Sequence, residues 1–213
     1  MSDFWKELHE VGIIPVIRMN NAVNAVELAK ALQMGGLPAA EITFRSDAAE
    51  ASIRAIAESV PGLCVCAGTV LNVENAQCAV EAGAKAIISP GTNLEVVHWC
   101  VEHNIPVIPG CATPTEMEAC MREGLKTVKL FPAAVVGGIS MLKALSGPYA
   151  GMKFMPTGGI SPSNVKEYLA LKNVIACAGS WIVPDMLLSV RQFGEIQKLA
   201  EQAAALRNSA RQS

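Results

Sequence analysis

A lysine in the middle of an apolar strand is the first residue that needs a chemical explanation. In Thr127-Val128-Lys129-Leu130-Phe131-Pro132, alternation sends Val128 and Leu130 one way and Lys129 the other. If the apolar pair packs on helices, Lys129 points inward, and lysine is rarely buried without a partner. Burial disfavours the ammonium form, and a neutral amine is what a carbonyl-attacking nucleophile requires. A second strand breaks the apolar rule in the same way. In Glu41-Ile42-Thr43-Phe44-Arg45, Ile42 and Phe44 take one face, while Glu41, Thr43 and Arg45 take the other. A carboxylate beside a guanidinium in a cavity is either a structural ion pair or a base next to an anion clamp, because burial without a partner is costly. A plain salt bridge between Lys129 and Glu41 also accounts for the lysine, and a resting ion pair can itself be the catalytic pair. The other lysines stand at strand starts or on helices; Lys85 and Lys153 open their strands.

Two loops form a further feature, Pro156-Thr157-Gly158-Gly159-Ile160-Ser161 and Ala178-Gly179-Ser180-Trp181. Glycines just before a helix leave backbone N–H groups free to approach an anion, and the helix dipole favours negative charge there. The Thr69 hydroxyl, after Ala67-Gly68, is placed to bind a carboxylate. Pro90, in Ser89-Pro90-Gly91, shapes a pocket wall, and Arg18 adds positive potential beyond the first strand. Each of these, taken alone, is also explained as a turn residue.

The elements that must position these groups alternate from end to end. A first helix spans about residues 2–10. Strands follow at Ile13–Ile17, Ala39–Phe44, Leu63–Ala67, Ala84–Ser89, Pro106–Pro109, Thr127–Phe131, Lys153–Pro156 and Val174–Ala178, with helical stretches between many of them and a closing helix near Phe193–Arg207. Strands alternating with helices imply a parallel sheet, and about eight such units imply a (β/α)8 TIM barrel, here with an extra N-terminal helix. An open doubly wound sheet is the competing architecture, but no Gly-x-Gly-x-x-Gly follows the first strand. Residues 1–213 read as a single α/β-barrel domain with a frayed polar tail at 208–213. In a barrel the site lies at the C-terminal strand ends, and loops seven and eight commonly bind phosphate.

The 213 residues are 51% hydrophobic and only 5% aromatic, which suits a parallel sheet wrapped in helices, and the formal charge of −2 offers no basic face for nucleic acid or an acidic membrane. The N-terminus has no apolar h-region, and no uncharged apolar run is long enough to span a bilayer. The seven cysteines are scattered and odd in number, which points to reduced, buried thiols in the cytoplasm. Cys64 and Cys66 share one strand face and read as core packing rather than a metal site. His9, His98 and His103 lie in helical stretches, as surface or packing residues.

Glu41-Ile42-Thr43-Phe44-Arg45, Ala67-Gly68-Thr69-Val70, Ile88-Ser89-Pro90-Gly91, Lys129-Leu130-Phe131-Pro132-Ala133, Pro156-Thr157-Gly158-Gly159-Ile160 and Gly179-Ser180-Trp181, in that order and spacing, resemble the 2-keto-3-deoxy-6-phosphogluconate/4-hydroxy-2-oxoglutarate (KDPG/KHG) aldolases. The resemblance runs from about Val11 to Pro184. It implies a metal-independent class I aldolase, usually a homotrimer of barrels. Such an enzyme cleaves 2-keto-3-deoxy-6-phosphogluconate to pyruvate and glyceraldehyde 3-phosphate, with no cofactor beyond a covalent imine. By that similarity Lys129 is the Schiff-base lysine and Glu41 the general acid/base. Arg45 and Thr69 hold the pyruvate carboxylate, Thr157 lines the site, and Phe131 and Pro90 wall it. Gly158, Gly159, Gly179 and Ser180 hold the phosphate. Ala178 departs from relatives that have glycine there; it is expected to offer its N–H while its methyl crowds the anion. Arg45 favours the gluconate over the galactonate epimer. The rivals are a galactonate-specific aldolase, a phosphosugar isomerase or decarboxylase barrel without imine chemistry, and a non-catalytic phosphosugar binder.

Overall fold

The structure is a computed structural model that describes residues 3–211. Helix α1 (Asp3–Val11) carries Phe4, Leu8 and Val11 along one stripe, and all three are buried. Ser2, expected to begin that helix, lies outside the described residues. Strands β1 (Ile13–Ile17), β2 (Ala39–Thr43) and β3 (Cys64–Gly68) are almost wholly buried, as runs covered on both faces must be. The shorter strands are β4 (Ile87–Ile88), β5 (Val107–Ile108), β6 (Gly110–Cys111), β7 (Thr127–Leu130), β8 (Lys153–Phe154) and β9 (Cys177–Gly179).

All the ladders are parallel. A six-stranded half-barrel runs β5-β4-β3-β2-β1-β9, and a three-stranded sheet runs β6-β7-β8. Two isolated parallel bridges, Phe154↔Val174 and Thr157↔Ala178, join the β8 end of the small sheet to the β9 edge of the large one. Among the described residues there are nine strands where eight were expected. The expected fifth strand, Pro106–Pro109, is β5; pairing stops at Pro109, which has no N–H to give a ladder, and resumes beyond it as β6; the Pro109 carbonyl still accepts the Lys129 N–H at 2.8 Å. The eighth strand, expected over Val174–Ala178, is ladder-paired only at Cys177–Gly179, with Val174 held as a bridge.

The helices α2 (Ala25–Met34), α3 (Ala49–Ser59), α4 (Val73–Glu81), α5 (Leu94–Glu102) and α6 (Pro114–Arg122) lie between strands, where helical stretches were expected. Helix α6 opens on a capping box in which the Thr113 and Glu116 side chains and backbones serve each other, with Pro114 in the first turn. Three further helices, α7 (Gly138–Leu145), α8 (Val165–Leu169) and α9 (Asp185–Ser189), fill the remaining intervals. Helix α10 (Phe193–Arg211) runs through 208–211, which the sequence reading had as frayed tail. There the Arg211 guanidinium donates to the Glu10 carbonyl at 2.9 Å, and Arg207 donates to the Val11 carbonyl at 3.2 Å. Residues 212 and 213 lie outside the described residues. Among the described residues no helix is long and apolar enough to cross a membrane.

Strand alternation separates two apolar clusters. Ile13, Ile17, Ile42, Val65, Val128 and Leu130 belong to the large cluster under the helices. Ile14, Ala39, Cys64, Cys66, Ile88 and Ala178 belong to a smaller inner cluster, which α1 joins through Phe4, Leu8 and Val11. Glu7 of α1 meets Lys85, just before β4, at 2.9 Å, so α1 covers the end at which the strands begin.

Candidate active site

Strand β2 divides its side chains as the alternation requires. Ile42 is fully buried in the outer cluster and Phe44 packs against it. Glu41 and Thr43 point inward, each 1% exposed. Strand β7 does the same: Val128 and Leu130 pack outward, and Lys129 stands inside at 4% exposure. Ladders bring Glu41 and Lys129 to one interior from strands far apart in sequence. Lys129 Nζ donates to Glu41 Oε1 at 3.2 Å, and it lies 5.3 Å from the centre of the half-buried Phe131 ring.

Among the described residues, Glu41 Oε2 is the one buried side-chain oxygen or nitrogen without a hydrogen-bond partner. A buried carboxylate with one oxygen unanswered is expensive. Its free oxygen is therefore a place for a water or a substrate hydroxyl to bond, and the plain salt bridge leaves that oxygen unexplained. Gly68, in register beside Thr43, makes the arrangement possible. A Cβ at Gly68 would lie 2.6 Å from Glu41 Cγ and 2.9 Å from Cδ, and closer still to Oε1. The sequence reading did not single out Gly68 for this; a glycine ending a buried strand is the signal that a side chain approaches closely there.

The residues around this pair fall into groups. Arg45 is exposed past the end of β2, with its Nε donating to Thr43 Oγ1 at 3.1 Å. Thr69 is half-buried just after β3 and holds a left-handed backbone at φ +56, a conformation that costs a non-glycine residue about 1 kcal/mol or more. Pro90 is half-buried and its carbonyl lies against Gly110, where a Cβ would collide with it. Thr157 is buried and bridged to Ala178, which sets the two glycine loops side by side. Gly158 and Gly159 have φ of +93 and +77. A Cβ on Gly158 would come within 3.4 Å of the Phe131 ring, so this loop adjoins the lysine site. Gly179 is covered by the Trp181 ring, and Ser180 is exposed. Arg18 is exposed directly after β1, and this geometry ties it to none of the others.

The structure corrects the expectation for Ala178. Its N–H donates to the Pro156 carbonyl at 3.0 Å and its methyl lies in the inner cluster, fully buried, so it offers no donor to an anion. Cys64 and Cys66 share the inner face as expected, with sulfurs 3.9 Å apart; the hydrogen bond with Cys64, then burial, pushes the Cys66 thiol up. His98 lies between Glu102 and Glu123 on the surface, while His9 and His103 bond to backbone carbonyls.

Residues 5–199 match the family described as Aldolase: KDPG and KHG aldolase. The chain is 42% identical over 202 residues to the 2-dehydro-3-deoxy-phosphogluconate aldolase of Treponema pallidum, covering 95% of this chain and 96% of that protein. It is 44% identical over 191 residues to the KHG/KDPG aldolase of Escherichia coli, covering 90% of each. The crystal structure of the KDPG aldolase from Legionella pneumophila, with pyruvate captured at low pH as a covalent carbinolamine intermediate, matches with a TM-score of 0.89 and 37% identity, covering 92% of this chain and 96% of that one. The Zymomonas mobilis 2-keto-3-deoxy-6-phosphogluconate aldolase with 3-phosphoglycerate matches with a TM-score of 0.89 and 32% identity, over 97% of both chains.

Proposed function

Because this chain belongs to the KDPG and KHG aldolase family, we propose that it cleaves 2-keto-3-deoxy-6-phosphogluconate to pyruvate and glyceraldehyde 3-phosphate through an imine on Lys129. The observation that carries this reading is the 3.2 Å contact between two buried groups, Lys129 and Glu41, with the second carboxylate oxygen unpartnered.

Proton transfer from Lys129 to Glu41 across that contact frees the amine to add to the C2 ketone, giving a carbinolamine. Glu41 returns the proton to the departing hydroxyl, and loss of water leaves an iminium. As C3–C4 breaks, its electron pair moves into the iminium to give an enamine, and Glu41 takes the C4 hydroxyl proton as the aldehyde leaves. Protonation at C3 and hydrolysis of the imine release pyruvate and restore Lys129. Arg45 and Thr69 hold the keto-acid carboxylate, for which a guanidinium offers a bidentate match. Phe131 and Pro90 wall the site, Thr157 lines it, and Arg18 adds positive potential. Gly158, Gly159, Gly179 and Ser180 hold the phosphate; positive φ at Gly158 and Gly159 and the bridge between the two loops support that assignment. No metal enters the scheme, since the iminium itself is the electron sink. Arg45 places the gluconate epimer ahead of the galactonate, and 4-hydroxy-2-oxoglutarate is a second substrate of the same chemistry.

The same reading takes residues 1–213 as one domain, with the eight strand–helix units closed into a (β/α)8 barrel and α1 stopping one end. The match over 5–199 and the two bridges between the sheets support it. It also takes the protein as a cytoplasmic homotrimer with no nucleic-acid or membrane partner. The trimer rests on the family alone. Borohydride reduction in the presence of pyruvate, read by mass spectrometry, tests the imine. One adduct on Lys129 is expected; no adduct, or an adduct on another lysine, overturns the reading in favour of a barrel that uses Lys129 only as a charge.

A further inference from the structure

Thr43 is a buried hydroxyl that the scheme above leaves without a task. It faces the interior at 1% exposure, two residues from Glu41 and two from Arg45. Its hydroxyl has one proton, and that proton goes to the Ile17 carbonyl of the neighbouring strand at 2.9 Å. The oxygen is thereby left as an acceptor only, and it receives Arg45 Nε–H at 3.1 Å. Register fixes the arrangement from below, since β1 pairs Ile17 with Ile42 in a continuous ladder.

We propose that Thr43 is a positioning residue for the substrate carboxylate: it holds Arg45 by Nε, so that the two terminal nitrogens face the keto acid as an end-on fork. A guanidinium can take a carboxylate through its Nε side or through its terminal pair. With Nε engaged, only the terminal pair remains for a bidentate contact. Arg45 is exposed beyond the end of β2, so without this tether its long side chain would lose more rotamer freedom on binding. Thr43 touches no substrate atom in this scheme, and its effect passes through Arg45. The inference rests on Arg45 being the carboxylate clamp.

The test is the pyruvate dependence of borohydride trapping on Lys129, together with cleavage kinetics, in Thr43→Val, Thr43→Ser and Arg45→Met. Thr43→Val keeps the shape and removes the hydroxyl. It is expected to raise the half-saturating pyruvate concentration about tenfold, the size of one hydrogen bond to a charged group, with the trapping rate at saturation within about twofold of wild type. Thr43→Ser, which keeps the hydroxyl, should recover most of the affinity. In an Arg45→Met background, Thr43→Val should add nothing. An unchanged half-saturation in Thr43→Val, or its full effect persisting without Arg45, overturns the inference. If Arg45→Met itself leaves pyruvate half-saturation unchanged, the clamp reading fails first and independently. Should Thr43→Val lose its cooperative thermal transition, Thr43→Ala serves as the second variant, with the same split expected.

Discussion

In Gly68→Ala the new methyl carbon would stand 2.6 Å from Glu41 Cγ and 2.9 Å from Cδ, against an ordinary contact distance of 3.4 Å or more. The Glu41 carboxylate must therefore retreat by about 1 Å. Gly68 has no positive φ, so alanine brings no backbone strain and the effect passes through the methyl alone. The Lys129–Glu41 contact stands at 3.2 Å, already at the long end of a hydrogen bond, so a displacement of about 1 Å spoils its geometry. Misplacing a catalytic group by that much costs about 100-fold in rate. Overpacking by one methyl costs ~1–2 kcal/mol, a fall in Tm of several degrees for a chain of this length. The expected result is a folded enzyme with kcat/KM about 100-fold down in a coupled pyruvate-release assay, and a borohydride trapping rate that falls with it. A variant that retains kcat/KM within threefold of wild type refutes the claim that Glu41 must stand where only glycine leaves it room.

Lys129→Ala should abolish turnover and trapping, and wild-type cleavage in that variant would sink the imine scheme. Glu41→Gln should slow turnover by 100-fold or more, the order attributed to a positioned acid–base group, while equilibrium pyruvate binding survives; loss of binding in parallel would argue for a structural carboxylate. At the start of α6, burial works against the Glu116 carboxylate. The Ala112 N–H, the Thr113 hydroxyl and the Thr113 N–H outweigh it and hold its pKa below the ordinary value. A depressed folded pKa stabilises above the unfolded pKa, and that contribution disappears as pH falls through the folded value. Glu116→Gln should therefore have a lower Tm than wild type at pH 7, with the gap closing in acid; a gap that does not change with pH would contradict this linkage.

The parts of the site that alternation governs were legible from the chain. Lys129 and Glu41 each interrupt an apolar strand, and period two sends both inward, where the ladders bring them together. What a single strand cannot display is its neighbour's side chain. Gly68 reads locally as the end of a strand, and only the β2–β3 register reveals that Glu41 lies across it. Ala178 was misjudged for the same reason, since its N–H belongs to a bond with Pro156 across a loop pair. Helices α8 and α9 span five residues each, too short to establish a 3.6-residue period. Helix α7 opens on Gly138 with Gly137 at its cap, both at positive φ, so it begins without a polar cap that the sequence could advertise.

Helix α1 stands across the end where the strands begin, with Phe4, Leu8 and Val11 in the inner cluster and Glu7 fastened to Lys85. On the proposed closed barrel with its imine on Lys129, traffic to that lysine is confined to the opposite mouth. Of the two cleavage products one is a free aldehyde and the other is still tethered as an enamine, and both must leave by the same door. The aldehyde departs first by necessity, pyruvate second. In the synthetic direction the same imine chemistry has pyruvate load before the aldehyde arrives, and a stopper at one end of the fold sends both through the other.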